Sequence, residues 1–95
     1  MKVKVKFFAL AREIVGTPEQ EVELANGSTA KDLLDLLTNK NGEKFRDFIF
    51  DPKTGKPRPN LQFLIGDELL RDLDGLATVL SEGAVFAIIP PVGGG

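Results

Sequence analysis

Polar and apolar residues alternate strictly at the start of the chain: Lys2, Lys4 and Lys6 fall on one parity, Val3, Val5 and Phe7 on the other. A period of two is that of a strand with one buried face. Phe8 breaks the pattern, because it falls on the lysine parity, where an aromatic ring has no core to enter. It is therefore a candidate partner contact, set against the ordinary occurrence of single exposed apolar residues. The lysine stripe reads as a solvated face. Gly16-Thr17-Pro18 reads as a turn, after which Glu21-Val22-Glu23-Leu24 alternates again as the return strand of a hairpin. Asn26-Gly27 makes a second turn.

The period then changes. Thr29 and Asp32 have the spacing of a capping box, and Leu33, Leu34, Leu36 and Leu37 form a broad apolar stripe that Asn41-Gly42 ends. This predicts a helix lying over the core. Phe45, Phe48 and Ile49 recur at three and four and predict a short second helix, finished by Phe50. Asp51 to Asn60 holds three prolines and a glycine with no apolar anchor, so it is a surface loop. Its lysines and Arg58 keep it solvated, or else touch a partner or a nucleotide phosphate. The glycine spacing of a phosphate-binding loop is missing. Leu61 to Ile65 is a strand, Gly66-Asp67 a tight turn, and Glu68-Leu69-Leu70 its short hairpin partner. Asp67, Glu68, Asp72 and Asp74 are turn chemistry rather than metal ligands. Leu76 and Leu80 are predicted to plug the edge of the core, and Ser81-Glu82-Gly83 leads into the last strand.

That strand, Ala84-Val85-Phe86-Ala87-Ile88-Ile89, is continuously apolar, as a strand deep in a sheet is. Pro90 and Pro91 stop it, since proline brings no N–H to a ladder. Val92, Gly93, Gly94 and Gly95 follow with little bulk. Pro90 to Gly95 thus forms a narrow extended arm with a reach of roughly 20 Å, at a little over 3 Å per residue. Its functional group is the Gly95 carboxylate, and no side chain beyond Val92 obstructs threading into a tight active site. Residues 1–89 make one domain and residues 90–95 its tail. A frayed terminus is the plainer account of terminal glycines, but here the arm leaves directly from a buried strand. Phe86 and Ile88 are the bulkier parity and belong to the core. Val85, Ala87 and Ile89 then share the open sheet face with Phe8, as a candidate docking patch beside the root of the arm.

Composition narrows the chemistry. The chain has 95 residues, no His and no Cys, which removes the usual general base, the commonest zinc ligands and any disulfide. A net charge of −2 disfavours nucleic-acid binding. No apolar run approaches a membrane span and the start lacks a signal-peptide core, so a cytoplasmic location is expected.

The ending Val85-Phe86-Ala87-Ile88-Ile89-Pro90-Pro91-Val92, then Gly94-Gly95, resembles MoaD, the small subunit of molybdopterin synthase within the ubiquitin-like sulfur carriers. So do the opening Val5-Lys6-Phe7-Phe8-Ala9 with Arg12, Glu13 and Gly16, and the segments Gly27-Ser28-Thr29 and Leu80-Ser81-Glu82-Gly83. Gly93, where relatives more often carry Ser, Ala or Thr, and the long 51–60 segment depart from the pattern. The order of elements and the resemblance agree on an α+β fold. It is the β-grasp (ubiquitin-like) plan, a mixed sheet of four to five strands covered on one face by a helix, with the last strand parallel to the first. The resemblance implies that an ATP-dependent adenylating enzyme activates Gly95 as an acyl-adenylate, which sulfur converts to a thiocarboxylate. The large synthase subunit then accepts the arm and passes the sulfur to a pterin precursor. On this view the chain binds no cofactor itself, and the catalytic residues are its partners'. Two alternatives stay open: a modifier joined through Gly95 to lysines or serving tRNA or thiamine pathways, and an interaction module with an inert tail.

Overall fold

The computed structural model describes residues 1–90. The opening alternation becomes β1 (Lys2–Phe7), with its three lysines exposed and Val3, Val5 and Phe7 buried. It pairs antiparallel with β2 (Glu19–Glu23), Val3 opposite Val22. The expected simple hairpin turn is absent. A helix, α1 (Ala9–Val15), fills the connection, and Gly16 at φ 90° is its C-cap, the Gly16 N–H donating to the Arg12 carbonyl. Ala11 is buried in the core, with Ile14 and Val15 packed against it. The joint at Ala9 has φ 50°, a left-handed conformation costing about 1–2 kcal/mol for a residue with a Cβ.

The capping box forms as predicted at the start of α2 (Ala30–Asn41). Thr29 Oγ1 accepts from the Asp32 N–H at 3.3 Å, and Asp32 Oδ2 accepts from the Thr29 N–H at 2.9 Å. Gly42, at φ 91°, ends α2 and leads into α3 (Glu43–Ile49). Leu33, Leu34 and Leu37 of α2 and Phe45 and Ile49 of α3 are fully buried. Each such side chain stabilises by about 1.5–3 kcal/mol relative to exposure. Three helices therefore supply the cover: α2 and α3 stand where two helices were expected, and α1 is added to them.

The last strand, β5 (Val85–Ile89), is central. It runs parallel to β1 and antiparallel to β3 (Gln62–Ile65), and β3 turns through Gly66-Asp67 into β4 (Glu68–Leu69). The strand order is β2-β1-β5-β3-β4. Short 3-10 turns at Leu70–Asp72 and Gly75–Ala77 bring Leu70 and Leu76 to the core margin, and Leu80 is buried there. Phe86 and Ile88 are fully buried, as the parity argument required. Phe63 stacks on Phe86 with centroids 5.7 Å apart, and Phe7 meets Phe45 edge to face at 5.8 Å. Both geometries are favoured aromatic contacts.

Candidate functional site

Core packing on one side of the sheet leaves the opposite parity as the open face. On β1 that parity holds the three lysines, all exposed, and then Phe8, which is 40% exposed. On β5 it holds Val85 and Ile89, each half-buried, and Ala87. Directly opposed residues share a face, so register carries the patch across the sheet. Lys6, Ala87, Leu64 and Leu69 stand in one row over β1, β5, β3 and β4. The neighbouring row has Ile89 opposite Gln62. Continuing the parallel register one step beyond Phe7 and Ile88 sets Phe8 abreast of Ile89.

The face is thus divided. Towards β2 it is charged, with Lys2, Lys4 and Lys6 opposite Glu23, Glu21 and Glu19. Among the described residues the ion pair within 4 Å is Lys31 with Asp35 on α2, so these cross-strand charges remain available to water or a partner. Towards β4 the face is apolar, with Val85, Ile89, Leu64 and Leu69. Leu64 and Leu69 were not singled out from the sequence. Both are half-buried and lie outside the core cluster. Leu64 shares the parity of the exposed Gln62, a break of the same kind as Phe8, but masked by the apolar run around it. Leu10, 51% exposed two residues after Phe8, was also missed.

Ala87 is more covered than its outward parity alone suggests. It faces outward by parity yet is only 8% exposed, because its single methyl sits between the longer side chains of Lys6 and Leu64. It is the floor of the patch. Pro90, half-buried, is the last described residue. Pro91, Val92, Gly93, Gly94 and Gly95, the remainder of the expected arm, lie outside the described residues.

Among the described residues the two shifted titrations belong to α2. The hydrogen bonds from the Thr29 backbone and hydroxyl hold the Asp32 carboxyl below its usual range, and the hydrogen bond to Asp35 raises Lys31. Among the described residues no three His, Cys, Asp or Glu side chains group closely enough to hold a metal ion, Asp67, Glu68, Asp72 and Asp74 included. No helix there is long and apolar enough to cross a membrane.

The sequence model of the ThiS family matches residues 5–95. The chain belongs to the ThiS family. Two of its relatives carry different kinds of name. It is 35% identical to a molybdopterin synthase sulfur carrier subunit of Drosophila yakuba, over all of this chain and 92% of that one. It is 30% identical to small archaeal modifier protein 3 of Haloferax volcanii over the whole of both chains. The solution structure of small archaeal modifier protein 1 from Methanosarcina acetivorans superposes on this ThiS-family chain with a TM-score of 0.84 at 34% identity. That match covers 99% of this chain and 96% of the other. The resemblance to MoaD and the β-grasp assignment both stand.

Proposed function

We infer that this chain is a sulfur carrier, most specifically the small subunit of a molybdopterin synthase. The observation that supports this most is the continuity of patch and arm in a ThiS-family chain. The central strand β5, whose Val85 and Ile89 help line an unpaired apolar face, runs directly into Pro90-Pro91-Val92-Gly93-Gly94-Gly95. A partner seated on that face holds the arm at a defined origin, and roughly 20 Å of extended chain can enter its active site.

In the proposed reaction a Gly95 carboxylate oxygen attacks the α-phosphorus of ATP on an adenylating enzyme, and pyrophosphate leaves. A sulfur nucleophile then attacks the acyl carbon and AMP leaves, so the terminal C–O bond is replaced by C–S. The covalent intermediate divides one difficult substitution into two easier ones. ATP belongs to the activating enzyme. The chain supplies the positioned reagent, and the large synthase subunit supplies the catalytic groups that pass sulfur to a pterin precursor.

The relatives named as archaeal modifiers favour a second reading, in which the same activated Gly95 is joined to lysines of other proteins. Purification from the host under denaturing conditions and mixing with a recombinant synthase large subunit separate the two. A tight one-to-one complex without lysine-linked conjugates is the expected result. Abundant conjugates with no such complex would replace the carrier reading with the modifier one.

A further inference from the structure

A cavity of about 290 Å³ opens at the β3–β4 end of the molecule, between the loop around Arg58 and the 3-10 turns after β4. Leu61, Leu70 and Leu76 line it, and Arg58 and Arg71 stand at its wall. Among the described residues that line it, none is acidic. Two arginines therefore line one apolar cavity with no carboxylate among its lining residues, in a protein whose net charge is −2. Arg58 is held in place: its Nε donates to the Asp47 carbonyl at 2.9 Å, leaving its two terminal amino groups without a partner among the described residues. A guanidinium fixed in this way loses little freedom on engaging a planar anion, and its fork fits a carboxylate.

The cavity is continuous with the docking patch. Leu69 and Gln62 line it, Leu69 also belongs to the apolar row of the open face, and Gln62 is paired with Ile89 at the root of the arm. We propose that this cavity receives an acidic, leucine-type segment of the protein that handles the tail, its aliphatic side chain on the Leu61, Leu70 and Leu76 floor and its carboxylate on Arg58 and Arg71. The identity of that partner rests on the sulfur-carrier reading. The site itself rests on the cavity and its two cations. The acidic surface of the whole works against a polyanion such as nucleic acid, whereas a single carboxylate paired with an apolar side chain matches both halves of the cavity.

The test is titration of the full-length isotope-labelled chain, followed by NMR, with a capped tetrapeptide of alternating glutamate and leucine and with its glutamine counterpart. The acidic peptide is expected to shift the signals of Arg58, Gln62, Leu69 and Arg71 saturably, and the glutamine peptide to bind about tenfold more weakly. Arg71→Glu, an exposed change that leaves the Arg58–Asp47 contact alone, should abolish the difference between the peptides; Arg58→Gln should weaken the acidic one. Equal binding of the two peptides, shifts confined to the Lys2, Lys4 and Lys6 stripe, or tighter binding of AMP than of the acidic peptide would overturn the proposal. Sulfur loading of Gly95, measured on the same preparations, separates the two claims. Loading without peptide binding sinks this site alone, and peptide binding without loading keeps the site and sinks the carrier reading.

Discussion

The two faces of one sheet are made from the same strands, and they do opposite things with apolar side chains. On the helix side Val3, Val5, Phe7, Phe86 and Ile88 are at most 1% exposed and meet side chains from α1, α2 and α3. On the open side Val85, Ile89, Leu64 and Leu69 keep part of their surface in water, and Phe8 is 40% exposed. Burial on the first side stabilises the fold. The exposed apolar area on the second contributes little to folding and is released from water only when a partner covers it. On the proposed reading, stability and docking are therefore separable along a single strand, residue by residue, by parity.

The sharpest separation is at the arm. Deleting Gly94 and Gly95 is expected to abolish sulfur transfer while leaving the thermal midpoint unchanged, measured by pterin sulfuration and by calorimetry. Normal sulfuration by the truncated protein would end the proposal. On the core side, Phe86→Ala should cost about 3–5 kcal/mol in a denaturant titration, because the cavity beneath Phe63 cannot fully collapse. A loss under 1 kcal/mol would mean that the buried face is not packed as described. On the open side, Phe8→Asp or Leu64→Asp should weaken binding of the large subunit or the adenylating enzyme by about 10- to 100-fold while destabilising by under about 1 kcal/mol. An unchanged dissociation constant would remove that residue from the interface.

The smallest effect lies at the start of α2. Thr29→Ala should cost about 1 kcal/mol through loss of the α2 cap. The Asp32 carboxyl is held below its ordinary value in the folded state, so its contribution is present above about pH 4 and is lost as pH falls through that value towards the lower folded one. Denaturant titrations of wild type and Asp32→Asn should converge in acid. A gap that widened as the pH fell would contradict the assignment.

Much of this division could be read in advance, because alternation is a direct record of which face a strand buries. The lysine stripe, the capping box, the central place of the last strand and the break at Phe8 all follow from spacing. Helix α1 did not follow. Its N-cap is Phe8, which makes no side-chain cap hydrogen bond, and only Ala11 of its seven residues is buried, so both the start signal and the apolar period are faint. The low exposure of Ala87 was not legible because it is set by the side chains across the ladder, which its own segment does not specify. Leu64 and Leu69 were hidden for a related reason: outward parity is invisible in a run where nearly every residue is apolar. The Arg58 and Arg71 cavity joins two loops separated in sequence, and no local pattern announces such a meeting.

The most direct test of the carrier account is the mass of the C-terminal peptide after incubation with ATP, a sulfur donor and the host's adenylating enzyme. The peptide is preferable to the intact protein, since oxidation of Met1 would imitate the nominal gain from exchanging oxygen for sulfur. The account predicts that exchange, mapped to Gly95 and dependent on ATP. A tail that remains an ordinary carboxylate, with no adenylate formed, would contradict it and leave a β-grasp interaction module whose arm is inert.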